Sequence, residues 1–132
     1  MVCLCVMAGL NAAAIHSYEE LRDAMREGKH FTILLDVREC TGNPQMPVGY
    51  STPTEMMWIP KSENGDEHIS TSFLHFTDHG GVAKYEYVKY TFKSDESVDI
   101  QVAFYEPHSF ELVGKKQQIH CYLDKGIEIF TN

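Results

Sequence analysis

The sequence predicts a mainly β fold of the α+β class, with one N-terminal helix packed on a curved antiparallel sheet or open barrel of about seven strands. Three observations carry this. Helical periodicity with a capping signature occurs near the start, at residues 17 to 28. From residue 55 onward apolar residues alternate along segments joined by short polar turns, which makes neighbours antiparallel, because parallel strands need long crossovers. And 132 residues with 43% hydrophobic content, including seven Tyr and seven Phe, suit a single domain with one core.

The helix begins at Ser17-Tyr18-Glu19-Glu20, a capping box in which the Ser hydroxyl takes an orphan backbone N–H. Tyr18, Leu21, Ala24 and Met25 recur at helical spacing, Glu19, Arg22, Asp23 and Arg26 cover the other side, and Gly28 follows. The helix is expected over 18–27. Phe31 to Val37 then reads as a strand, with Leu34 opposite the main apolar face suggesting burial on both sides.

Residues 41–53 hold three Pro, two Gly, Asn and Ser, and predict a long loop. Glu55 to Ile59 is a short strand stopped by Pro60, and Asn64-Gly65 sits in an exposed turn. Ile69 to Thr77 is the next strand. Val82 to Lys93 and Val98 to Tyr105 form a hairpin around Ser94 to Ser97, and Phe110 to Tyr122 and Ile127 to Phe130 form another around Asp124-Lys125-Gly126. Gly114 marks an expected bulge. A phase change between Tyr85/Tyr87 and Val88/Tyr90/Phe92 suggests a second.

The first fourteen residues, MVCLCVMAGLNAAA, carry no charge and end in small residues, as a secretory signal cleaved after Ala14 does, although the usual positive start is missing. They fall short of the roughly twenty apolar residues of a membrane span. The rival reading is a buried first helix or strand. The expected mature domain is 15–132, secreted or periplasmic. Removing the segment takes Cys3 and Cys5 and leaves Cys40 and Cys121, expected to form one disulfide, with two buried free thiols as the alternative. A net charge of −8 opposes nucleic acid, whose phosphates need clustered Lys and Arg.

These residues resemble the VirK family of small secreted, virulence-associated proteins. The resemblance rests on the helix SYEELRDAMREGK, on Asp36-Val-Arg-Glu-Cys40-Thr41, on His75-Phe76-Thr77, on the aromatic-rich hairpin Tyr85 to Phe104, and on Cys121-Tyr-Leu-Asp-Lys-Gly126-Ile-Glu-Ile-Phe130. It implies secretion and a Cys40–Cys121 pairing, and carries no defined activity. His79 lies outside the pattern.

The expected function is a secreted, non-enzymatic binding protein that recognises a protein or a small apolar ligand through the 41–53 loop and nearby aromatic surface. Trp58, Tyr85, Tyr87, Tyr90, Phe92 and Phe104 are the candidate ligand-binding residues, with core packing as the plainer alternative. Met56, Met57 and Trp58 are a candidate partner patch. The alternative function is a small enzyme in which His75, placed by alternation on the core side, works with Asp36 as an acid–base pair. His68, Asp78 and His79 are zinc-compatible residue types near His75, but four-residue spacing aligns ligands only on a helix, so no metal site is assigned and no cofactor is expected. Nothing in the sequence sets the oligomeric state.

Overall fold

The computed structural model describes residues 12–42 and 48–132. Most of the expected signal segment and the tip of the long loop, 43–47, lie outside the described residues. In chain order the elements are β1 (Ala13–Ile15), α1 (Tyr18–Arg26), β2 (Phe31–Leu35), β3 (Gly49–Ser51), β4 (Met57–Ile59), β5 (His68–His79), β6 (Val82–Lys93), β7 (Ser97–Tyr105), β8 (Leu112–Leu123) and β9 (Gly126–Thr131).

Eight strands run in the order β3-β2-β9-β8-β7-β6-β5-β4, with β1 added to β9. Laid flat, eight strands about 4.8 Å apart would separate β3 from β4 by about 34 Å. Residues 52–56 join those two edges directly, and five residues reach only about 20 Å. The sheet therefore curls into a half-barrel. The helix fills its hollow: Tyr18, Leu21 and Ala24 are buried with Ile33 and Leu35 of β2, Ile69 of β5, Phe92 of β6, Ile100 of β7, Ile119 of β8 and Ile129 of β9.

The helix starts as the capping box predicts, Glu20 N–H donating to Ser17 Oγ. Its acidic partner reaches one residue further back than expected, accepting from the His16 N–H. Ile15 is buried, whereas Ala13 and Ala14 stand exposed at the strand that β1 adds to β9. Among the described residues no helix is long and apolar enough to cross a membrane.

Several sequence expectations need correcting. The three-residue strands β1 and β3 raise the count from about seven to nine, being too short to leave a periodic signal. The first strand ends at Leu35 rather than Val37, because Asp36 caps a 3-10 turn over Val37–Glu39. Leu34 is only half-buried, facing the exposed Tyr50 on β3. The β5–β6 register is unbroken from His68↔Lys93 to His79↔Val82, so no bulge separates Tyr87 from Val88; the two aromatic sets simply occupy opposite faces. The bulge at Gly114 is present, the β7–β8 register shifting between Val102 and Phe104. The last two strands are not a hairpin: β8 and β9 touch only at Tyr122↔Gly126 and Leu123↔Ile127, in parallel register, and β9 then pairs antiparallel with β2.

Candidate functional site

The signature residues of the two ends of the chain converge on one covalent tie. Cys40 and Cys121 form a disulfide with a Cα–Cα distance of 4.6 Å. Asp36 sets up this contact by accepting from the Arg38 N–H, which turns the chain after β2 toward β8. Its carboxylate is also gripped by Arg38 Nε and Nη2 at 2.8 and 2.6 Å. Those hydrogen bonds hold the Asp36 carboxyl below the usual carboxylate range. Thr41 then exchanges backbone hydrogen bonds with His120. Gly126 lies under the bridge at φ +95°, where a Cβ would collide with Cys40 Sγ.

His75 is on the inner face of β5, as alternation predicts, in edge-to-face contact with Phe73 at 5.5 Å. Its strand overhangs the helix-filled core, however, so the side chain is 51% exposed and not buried. Four strands lie between β5 and β2 along the sheet, and Asp36 is engaged by Arg38; the two candidate catalytic residues have different partners. The carboxylate beside His75 is Glu86, with Oε1 3.3 Å from His75 Nε2 and only 14% of its side chain exposed. Glu86 also faces Tyr90, whose phenol is pushed above its ordinary pKa by burial and then by the Glu86 charge. A sequence signal for Glu86 existed: it is a carboxylate in the core-facing register of β6, between Lys84 and Val88. The pair presents a half-exposed imidazole and a mostly buried carboxylate side by side on the inner face.

The candidate ligand-binding aromatics divide between the two faces. Tyr90, Phe92 and Phe104 point inward; Tyr90 and Phe92 are core residues, and Phe104 lies under Lys84 Nζ, 5.9 Å from its ring centre. Tyr85 and Tyr87 point outward, so the six candidates line no shared cavity. Trp58 donates its indole N–H to Glu67 at 2.8 Å and sits under Arg26, and Glu67 also accepts from Tyr18, so this side chain clamps the helix to the sheet. The Trp58 hydrogen bond holds the Glu67 carboxyl below its ordinary range.

The outer face of the overhanging arm carries an aromatic ladder. Phe76 meets Tyr85 edge-on at 5.5 Å, Tyr85 meets Phe110 at 6.0 Å, and Phe110 stacks on Tyr105 at 4.8 Å. Leu74 and Leu112 flank it, and Phe76 is 60%, Phe110 53% and Leu74 48% exposed. Phe110 adopts φ +58°, a left-handed conformation rare for a bulky residue, and its N–H donates to the Glu106 carbonyl. The Glu106 carboxylate caps the same turn through the His108 and Ser109 N–H groups. Sequence reasoning singled out Tyr85 and Tyr105 among the aromatics but missed Phe76, which it read only as part of the His75-Phe76-Thr77 motif, and Phe110, because the turn that swings Phe110 over Tyr105 leaves no periodic trace. Near the long loop, Val48, Tyr50 and Met57 are also exposed. Among the described residues no group of three His, Cys, Asp or Glu side chains is placed to hold a metal.

The VirK protein family model matches residues 14–110. The crystal structure of a VirK family protein from Legionella pneumophila superposes with a TM-score of 0.78 at 27% identity, covering 90% of this chain and 99% of that one. None of the curated proteins matches the sequence.

Proposed function

This chain belongs to the VirK family, and from that premise we propose that it is a non-enzymatic binding protein that works outside the cytoplasm and recognises a protein partner on the outer aromatic face of its β arm. The observation that carries the reading is the ladder of Phe76, Tyr85, Tyr105 and Phe110, with Leu74 and Leu112 at its edges. Exposed clusters of this size and composition are interface anchors, since aromatic rings desolvate much area at little entropic cost. The Phe110 backbone supports it further. A left-handed conformation costs roughly 1–2 kcal/mol, and here it serves to hold a ring in solvent. An open outer face suits a protein surface better than a small ligand, which needs enclosure. Any part in virulence would run through that contact.

The disulfide supports a site of action in an oxidising compartment. Export by the N-terminal segment then gives a product that starts at Ile15 and weighs two hydrogens less than the reduced chain. Mass measurement of exported protein tests this: an uncleaved chain with free thiols would falsify the export part of the proposal.

The binding part is tested with a photo-crosslinking phenylalanine analogue placed at Phe76 or Phe110, and at Gln101 on the polar stretch of the same face. A discrete adduct from 76 and 110, absent from 101, is the expected result. Equal or absent labelling at all three positions removes the proposal. The His75–Glu86 contact favours one second reading, an acid–base site on the inner face. It requires that His75→Ala and Glu86→Gln both abolish a turnover that Phe110→Ser leaves intact.

A further inference from the structure

β5 pairs with β6 along all its residues, but on its other side β4 covers only His68 to Ser70. From Thr71 to His79 that side meets no strand among the described residues. Alternate backbone N–H and C=O groups there have no strand partner among the described residues. Folded sheets blunt such edges with charged side chains, proline, bulges or a cover. The stretch Ile69 to Thr77 contains no Asp, Glu, Lys, Arg or Pro, and its register is unbroken. An uninterrupted edge that carries Leu74 and Phe76, with its one acidic residue, Asp78, held to the end, is built for strand pairing.

We propose that this edge is a homodimer interface, in which β5 pairs antiparallel with β5 of a second copy about a twofold axis at His75. The strand is self-complementary in that register. Leu74 falls opposite the partner's Phe76 on the outer face, Phe73 opposite the partner's Thr77 on the inner face, and Ser72 opposite the partner's Asp78.

Charge selects the second copy over an unrelated strand. Lys89 stands beside Ser72 on β6, on the same outer face as Asp78, and within the chain neither Lys89 nor Asp78 forms an ion pair among the described residues. The small Ser72 lets Lys89 pass over it toward the partner's Asp78, two strand spacings or about 10 Å away, which a Lys and an Asp side chain together span. Symmetry makes this pair twice. These contacts oppose the long-range repulsion between two chains of charge −8. The twofold meets the outer aromatic ladder only at its Phe76 edge and leaves Tyr85, Tyr105 and Phe110 open, so the inference does not rest on partner binding there.

Sedimentation equilibrium of the oxidised chain tests it. Twice the chain mass of 15.1 kDa is expected. Asp78→Lys and Lys89→Asp should each weaken dimerisation about tenfold, two exposed pairs being replaced by repulsive ones. The double exchange should restore it, which also controls for folding. His75→Cys should cross-link to itself at the axis, where Cβ atoms come about 5 Å apart, while Thr91→Cys should not. A wild-type chain that stays monomeric at millimolar concentration overturns the proposal. So does a dimer that neither charge reversal weakens and that His75→Cys fails to trap. Crosslinking at Phe110 in the Asp78→Lys variant reads the partner proposal separately.

Discussion

Gly126 illustrates how one residue can be dictated by a bond it does not make. Its φ of +95° is in the region that side chains resist, and a Cβ there would run into Cys40 Sγ and press on the Asp36 carbonyl. Gly126→Ala is therefore expected to cost more than about 2 kcal/mol, combining backbone strain with displacement of the bridge. Thiol titration of the purified variant together with its urea midpoint checks this; an oxidised variant of unchanged midpoint contradicts the geometry. Asp99 offers a titration counterpart. Burial pushes its carboxyl up, but hydrogen bonds from Lys93 and His120 and their charges together prevail, so its pKa lies below 3.8. A depressed folded-state pKa contributes stability above 3.8, lost as pH falls through the lower folded value. Because the side chain is 38% exposed, screening limits the contribution to under about 1 kcal/mol. Asp99→Asn should lose that increment at pH 7 and melt with a shallower dependence on acid than the wild type.

At the level of elements, the helix and the arm show opposite kinds of legibility. The helix was readable almost to the residue, since capping, periodicity and Gly28 all express local backbone physics. Its packing follows the same stripe: Leu21 is fully buried in the hollow of the half-barrel. Leu21→Ala should cost about 3 kcal/mol through lost transfer energy and a residual cavity. Trp58, the single tryptophan, is pinned between Arg26 and Glu67, so its emission should shift to the red as the helix loosens. An unchanged spectrum and midpoint would contradict a helix docked in this way. The arm was legible as strands, but which of its faces looked at solvent was not. Alternation placed His75 and Phe73 on one side, and Phe76 and Leu74 on the other. The helix covers the inner face only as far as its own length allows, so both faces of the far end are left bare.

For the whole molecule, the decisive connection is the disulfide, which joins the chain after β2 to β8 across 81 residues. On the chain-entropy account a loop of that size is stabilised by about 4 kcal/mol, because the unfolded ensemble loses most of its freedom. Cys40→Ser should lower the urea-derived unfolding free energy by about that amount, relative to the oxidised wild type. A loss no larger than that of a typical surface substitution would mean that the sheet holds its curl without the bridge. The short 52–56 link ties the sheet edges from the other side, and the two constraints together keep the half-barrel closed around its helix.

The sequence by itself determined what local physics writes: a capped helix at Tyr18, strands wherever apolar residues alternate, turns at Asn64-Gly65 and Ser94 to Ser97, and an even pair of cysteines in the folded domain. It also carried the family likeness, because Asp36, Cys40, Cys121 and Gly126 are set by one bond and the turn that serves it. Only the tertiary structure decided which residues meet. Asp36 went to Arg38 and His75 to Glu86, the two sets of tyrosines parted to opposite faces, and Phe110 swung onto Tyr105. Those outcomes depend on how far a nine-residue helix reaches beneath strands of nine to twelve residues. Coverage of that kind is a property of the assembled sheet and appears in no single stretch of the chain.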